Sequence, residues 1–147
     1  MITRRQKLIK VLVRTASLQQ QRAADALSRA NDVHARQARE AYLSQAALSN
    51  SLDQARTSSG EVLNLSLHQV ARDHLMYCAI RNFQAQGELS RTADELDAAS
   101  KAVAAISVRL GRLEELDAEE TRILLSQEHS GAQSMADETM INLRTSS

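Results

Sequence analysis

A repeat of apolar residues at alternating spacings of three and four constrains this chain more than any other feature. A repeat of this kind forms a continuous seam only along an α-helix that packs against another helix. The pattern predicts a helix over residues 62–128, with polar interruptions of the seam at Asn82 and Thr92. The seam residues are Ala71, Leu75, Cys78, Ala85, Leu89, Leu96, Ala99, Val103, Ile106, Leu110 and Leu113.

The first part of the chain has the same periodicity but a thinner apolar stripe. No proline occurs anywhere in the 147 residues, and nothing else breaks a helix over residues 3–57. A thin, alanine-rich stripe is typical of a helix that packs closely against one partner and has little stability alone. The stripe consists of Ile9, Leu12, Ala16, Ala23, Leu27, Ala30, Val33, Ala41, Leu48, Leu52 and Ala55.

Two breaks divide the chain. The sequence TSSG contains the strongest breaking signal between the two helical patterns and predicts a bend at 58–61. The sequence HSG at 129–131 predicts the end of the second helix, and the polar residues 130–147 predict a mobile tail. The predicted fold is all-α: two long helices form an antiparallel coiled-coil hairpin over residues 1–129, with a short bend and a flexible C-terminal tail.

Charge is separated along the chain although its total is zero. Residues 1–60 contain ten Lys and Arg and four Asp and Glu, a net of about +6, and residues 61–147 contain eight and fourteen, a net of about −6. An antiparallel hairpin places the basic start beside the acidic sequence EELDAEE at 114–120. Exposed ion pairs contribute only about 0.2–1 kcal/mol each, so they select the orientation while the seam provides stability.

The residue types that carry catalysis are isolated from one another. The four histidines lack the HExxH and Glu-x-x-His spacings of metal sites, and the four glycines form no phosphate-binding loop. Cys78 falls on the seam, where it reads as a small buried residue rather than a nucleophile. We therefore expect no enzymatic activity, no cofactor and no metal. With three aromatic residues and a neutral total charge, we also expect no nucleic-acid partner.

The sequence also indicates a compartment. It contains no apolar run of about 18 residues and no signal-peptide pattern. Its single cysteine suits a reducing environment. We expect a cytoplasmic protein.

In the predicted register Met76, Ile80 and Phe83 point away from the partner helix and form a second apolar stripe, with Tyr77 beside it. Tyr42 of the first helix faces approximately residue 78, so the three aromatic residues gather in this region. We call this group the central patch, and its members are Tyr42, Met76, Tyr77, Ile80 and Phe83. Two interpretations are open. Either the central patch binds a partner, or residues 61–70 fold back over it or the register shifts there.

Three sequences carry a family resemblance: the opening MITRRQKLIKVLVRTASLQQQRAADAL, the central HARQAREAYLSQ, and the seam ELDAASKAVAAISVRLGRLEEL. With few aromatics, two helical arms, a basic start and a polar tail, the chain resembles the stalk proteins of type III export systems. That family comprises the flagellar FliJ and virulence-secretion YscO group. The resemblance spans most of the chain and rests on architecture.

The resemblance implies a monomeric, non-catalytic coupling protein similar to the central shaft of rotary ATPases. The end of the hairpin that carries both chain termini would insert into the hexameric export ATPase ring. Surface residues midway along the hairpin would contact the export gate protein. Export chaperones would be further partners, and the protein would sit at the inner face of the apparatus, at the membrane only through partners. The ring-end residues would be Arg4, Arg5, Lys7, Lys10, Arg14, Glu114, Glu115, Asp117, Glu119 and Glu120. The gate-facing residues would be those of the central patch.

Two other interpretations compete with the stalk. A generic coiled-coil adaptor or secreted regulator would dimerise through the second helix, so its molar mass would distinguish it from a monomeric hairpin. A small helical nucleic-acid-binding protein would use the basic first helix, and its affinity for DNA or RNA would fall steeply with salt.

Overall fold

The computed structural model describes residues 3–58 and 65–145. Both elements in these ranges are α-helices, α1 over Arg4–Ser58 and α2 over Leu65–Thr145. The predicted all-α fold with two long helices is therefore confirmed. Of the predicted bend at 58–61, only Ser58 is described, and it ends α1. The predicted start of the second helix at residue 62 also lies outside the described residues.

A threonine cap fixes the start of α1. The Thr3 hydroxyl oxygen accepts a hydrogen bond from the Gln6 N–H at 3.1 Å, and the Thr3 carbonyl accepts the Lys7 N–H at 3.0 Å. The first of these bonds satisfies one of the N–H groups that a helix start leaves unpaired. The spacing of Thr3 and Gln6 is that of a capping box, which explains why the helix begins here.

The chain divides into two compact units, each containing a segment of both helices. Unit 1 comprises Met1–Arg22 with Ala104–Ser147, and unit 2 comprises Ala23–Val103. Contacts between the helices exist within each unit, so each can be described by itself.

The helix segments of unit 1 run antiparallel. Arg5 Nε lies 2.8 Å from Glu120 Oε1, and Gln20 Nε2 donates a hydrogen bond of 3.1 Å to Ser107 Oγ. Residue numbers rise along α1 while those of the partners on α2 fall, which only an antiparallel pair allows.

Unit 2 has the same orientation. His34 Nδ1 lies 3.1 Å from Thr92 Oγ1, and Ser51 Oγ lies 3.6 Å from Cys78 Sγ. The order of these contacts along the two helices is again reversed. The antiparallel pairing predicted for the hairpin is therefore present in each unit.

A heptad seam joins the helices. Along α1, buried or half-buried positions recur at alternating spacings of three and four at 6, 9, 13, 16, 20, 23, 27, 30, 34, 37, 41, 44, 48, 51 and 55. Along α2 they recur in the same way at 75, 78, 82, 85, 89, 92, 96, 99, 103, 106, 110, 113, 117, 120 and 124. The predicted seam of the second helix is confirmed from Leu75 to Leu113. Ala71 is exposed and lies before its start.

The first helix packs differently from its predicted stripe at three positions. The seam passes through Val13, His34 and Ser51. Their apolar neighbours lie beside the seam and are 38–39% exposed: Leu12, Val33 and Leu52. The prediction was wrong there because strict three–four spacing decides which side chain faces the partner helix, even where the adjacent residue is more apolar.

The end predicted for the second helix was also wrong. α2 continues through 129–131 to Thr145, so the described part of the predicted tail is helical. A helical glycine costs only about 1 kcal/mol relative to alanine, and Gly131 has no left-handed backbone angle. Ala, Gln, Met and Glu residues around it favour helix and outweigh that cost. Every residue from 125 to 145 is exposed, a stretch of roughly 30 Å.

Candidate partner-binding surfaces

The charged residues predicted for the ring end all lie in unit 1. The five cations are exposed on α1: Arg4, Arg5, Lys7, Lys10 and Arg14. Three of the acids are exposed on α2: Glu114, Glu115 and Glu119. Asp117 and Glu120 are half-buried and occupy seam positions.

One ion pair connects the basic and acidic segments. Arg5 and Glu120 form it, with 72% of the arginine side chain and 18% of the glutamate side chain exposed. Among the described residues, the other four cations of the cluster form no ion pair. The expected charge pairing is therefore right for one pair, and most of the basic segment keeps its charge uncompensated. Arg4, Arg5 and Lys7 line a hollow of about 580 Å³ together with Leu8 and Val11.

The seam of unit 1 contains buried polar side chains near the start of α1. Gln6 is only 5% exposed, and its Oε1 has no hydrogen-bond partner among the described residues. The same holds for Oδ1 of Asp117. Leaving a buried acceptor unpaired costs about 1–3 kcal/mol, so this end is held less firmly than an apolar seam would be. The sequence contained the signal, since Asp117 follows Leu110 by one heptad.

The central patch lies in unit 2 and is exposed. Exposure ranges from 55% at Ile80 to 81% at Phe83. Residues 65–70 continue α2 as a helix, and Leu75 and Cys78 keep the predicted register. Neither a register shift nor a fold-back of 65–70 therefore hides the patch, while residues 61–64 lie outside the described ranges. The patch is available to a partner.

A groove of about 680 Å³ opens between the helices of unit 2. Of the central patch, Tyr77 lines it, and the Tyr77 hydroxyl oxygen accepts a hydrogen bond of 3.0 Å from Arg81 Nη1. Leu43 and Glu40 lie on its α1 side. The patch and the groove thus share one residue and are otherwise separate surfaces.

Cys78 lies in the floor of this groove and is buried, as its seam position predicted. Its sulfur is 3.6 Å from Ser51 Oγ and 3.7 Å from His74 Nε2. The contact between His74 and Cys78 was not predicted, although His74 precedes Cys78 by one helical turn. Both polar neighbours satisfy the weak hydrogen-bonding capacity of a thiol in a seam.

A polar layer crosses the seam at His34 and Thr92. Thr92 is 2% exposed, and its hydroxyl donates to the Leu89 carbonyl at 3.0 Å. With the Leu89 carbonyl as the acceptor of its one proton, Thr92 Oγ1 can accept a hydrogen bond from the His34 tautomer that is protonated on Nδ1. The buried Thr92 hydroxyl therefore has hydrogen-bond partners on both helices.

Exposed ion pairs support α2 beside this layer. Arg91 contacts Glu88 and Glu95, each at 2.6 Å, and Lys101 contacts Asp97 at 2.9 Å. Hydrogen bonding to Glu88 and the charges of both acids raise the pKa of Arg91, and Asp97 raises the pKa of Lys101 in the same way. These pairs are fully exposed, so salt screens them, and they are helix supports rather than a binding site.

The described residues contain no group of three or more His, Cys, Asp and Glu side chains arranged to hold a metal ion. Neither described helix combines the length and apolar character that a membrane crossing needs. Comparison with family models, curated proteins and solved structures gives no match. The resemblance to export stalk proteins accordingly stays a prediction.

Proposed function

We propose that the protein is a non-catalytic stalk of a bacterial type III export apparatus. Its unit 1 inserts into the hexameric export ATPase ring, and its central patch contacts the export gate protein. The protein acts as a cytoplasmic monomer at the inner face of the apparatus, with export chaperones as further partners. One observation carries the proposal: the Arg5–Glu120 pair joins the start of α1 to the acidic run of α2. The other four cations of the predicted ring end form no ion pair among the described residues: Arg4, Lys7, Lys10 and Arg14.

Such an end is suited to a ring of subunits. A ligand shifts a conformational equilibrium only by binding one conformation more tightly than another. A charged two-helix end that is asymmetric, with basic residues on one helix and acidic residues on the other, contacts different subunits of a ring differently. This asymmetry supports a role in coordinating the subunits.

The seam supports the monomer over the adaptor alternative. In both units the heptad positions of α2 face α1. A dimer through the second helix would have to displace α1 from that seam. The adaptor interpretation therefore lacks a free heptad seam on α2 over residues 75–124.

ATP hydrolysis by the purified export ATPase, with and without this protein, tests the proposal. We expect stimulation together with hexamer assembly, and loss of both in the Arg4→Glu, Lys7→Glu double variant because neither cation has an internal ion pair to break. The matched control is Arg29→Glu with Arg36→Glu, which makes the same charge change on exposed residues of unit 2. Absence of stimulation by the native protein, or an equal loss in the control, rules out the stalk function.

A further inference from the structure

A second apolar stripe on α1 faces away from the seam of unit 1. Leu8, Val11, Thr15 and Leu18 follow one another at spacings of three, four and three, and we call them the outer stripe. Each lies two positions after a seam residue, and two positions along a helix rotate a side chain by about 200°. The three aliphatic members are 60%, 59% and 51% exposed.

Thr15 does not interrupt the apolar character of the outer stripe. Its hydroxyl donates a hydrogen bond of 2.9 Å to the carbonyl of Val11. Its polar group is thus satisfied within the helix, and its methyl group remains for contact with a partner. The outer stripe presents an uninterrupted heptad pattern, which is the pattern into which another helix packs.

The charges around the outer stripe all have one sign. Arg4 and Arg22 continue it at its two ends, and Lys7 and Arg14 flank it. The first acidic residue of the chain is Asp25. Among the described residues these four cations form no ion pair, so their charge is available to a partner.

We propose that the outer stripe binds an amphipathic helix of a protein partner, with apolar residues at heptad spacing and Asp and Glu on its flanks. The cations would attract such flanks and repel a basic helix, which gives selectivity as well as attraction. The inference deepens the proposed function and rests on it for the identity of the docking end. To the proposed function it adds the kind of partner segment that the docking end binds, an acidic amphipathic helix.

An anionic membrane fits the outer stripe less well than a helix does. The seam face of α1 is buried against α2, and the outer stripe offers a bilayer only two leucines, a valine and no aromatic residue. A nucleic acid would use the cations but leave the apolar residues uncovered. The combination of a narrow apolar stripe with flanking cations matches an acidic helix.

Fluorescence anisotropy with the full chain tests the inference. The probe is a labelled synthetic helical peptide of about three heptads, with Leu at its a and d positions and Glu on its flanks. We expect saturable binding that weakens with added salt. The Leu8→Ser, Leu18→Ser double variant should lose about a hundredfold in affinity, because burying each leucine contributes about tenfold.

Leu43→Ser is the matched control, since Leu43 is an exposed leucine of α1 in unit 2, and it should bind the peptide as the native chain does. Thermal melts followed by circular dichroism verify that the variants fold alike. The same peptide with Lys in place of Glu, and phosphatidylglycerol vesicles, are measured in parallel. Equal binding of the Lys peptide, undiminished affinity of the Leu8 and Leu18 variant, or binding of vesicles without the peptide would each overturn the inference.

This inference and the proposed function can fail separately. If the native protein stimulates the ATPase but does not bind the acidic peptide, the docked helix is wrong and the stalk function stands. If it binds the peptide through the outer stripe but does not stimulate the ATPase, the stalk function is wrong and the docking surface stands.

Discussion

Gln6 introduces an amide into a position that a coiled coil normally fills with an aliphatic side chain. The residue has two roles that conflict. Its backbone N–H is capped by Thr3, which favours a polar residue here as part of a capping box, while its side chain is buried with an unpaired oxygen. The reciprocal bond of a capping box, from the Thr3 N–H to the Gln6 side chain, is not formed by these two described residues, so the buried amide lowers stability at this end of the seam.

Gln6→Leu should therefore raise the free energy of unfolding by about 1–3 kcal/mol, because the unpaired acceptor is removed and apolar surface is buried. Urea unfolding followed by circular dichroism measures the change. Gln19→Leu, on an exposed position of the same helix, should change it by less than about 0.5 kcal/mol. A loss of stability in Gln6→Leu would mean that the amide oxygen has a partner in solution.

At the level of the helices, the two sides of the seam have different compositions. The α1 side is made mainly of Ala, Gln, Ser and His, and the α2 side mainly of Leu, Val and Ile. Small side chains on one helix accept large ones from the other. The satisfied pair of His34 and Thr92 adds a polar layer of the kind that fixes the register of coiled coils.

Thr92→Val keeps the shape of the side chain but leaves the His34 N–H without its acceptor. We expect it to lower the free energy of unfolding by about 1–3 kcal/mol. Adding His34→Leu should restore much of the loss, since removing both polar partners is nearly neutral. A double-mutant cycle on thermal melts measures the coupling, and additive losses would show that the two residues act independently.

This difference in composition also explains how much of the fold could be predicted. The α2 seam was predicted correctly because both seam positions of each heptad are apolar there. Leu96, Val103 and Leu110 occupy one position, and Ala99, Ile106 and Leu113 occupy the other. On α1, His34 and Ser51 have more apolar neighbours, so composition pointed to the wrong side of the helix. The continuation of α2 past Gly131 was missed because local breaking signals do not report how strongly the flanking residues favour helix.

The candidate surfaces were predictable to different degrees. The exposure of Phe83 and Ile80 followed from the heptad register alone. The outer stripe was missed, because only the α1 stripe that contains Ile9 was followed along the sequence, and Leu8 and Val11 lie off that stripe. The uncompensated cations were also missed, since a count of opposite charges does not reveal which side chains come within ion-pair distance.

At the scale of the whole molecule, zero net charge conceals surfaces with distinct chemistry. Unit 1 presents charge and the outer stripe, whereas unit 2 presents the aromatic and aliphatic central patch. Large exposed apolar groups of this kind mark interaction sites more often than they stabilise a fold. Removing them should therefore affect binding and not folding.

Ile80→Asp combined with Phe83→Asp should leave helicity and melting temperature nearly unchanged. If the export gate protein is the partner that we propose, the same change should abolish binding to it, measured by calorimetry. Both side chains are more than half exposed, so little buried area is lost. Val108→Asp on an exposed position of α2 in unit 1 is the control and should bind normally. Global unfolding of the double variant would show that the patch is part of the core.

The sequence separation of the helix–helix contacts has a consequence for how this chain folds. Ser51 and Cys78 are 27 residues apart, whereas Gln20 and Ser107 are 87 apart. Closing a longer loop costs more entropy, so we expect contacts in unit 2 to form first and those in unit 1 last. The surface proposed for docking thus belongs to the part of the chain that is completed last. A partner that binds it also stabilises the paired helix segments of unit 1, which links recognition to the final step of folding.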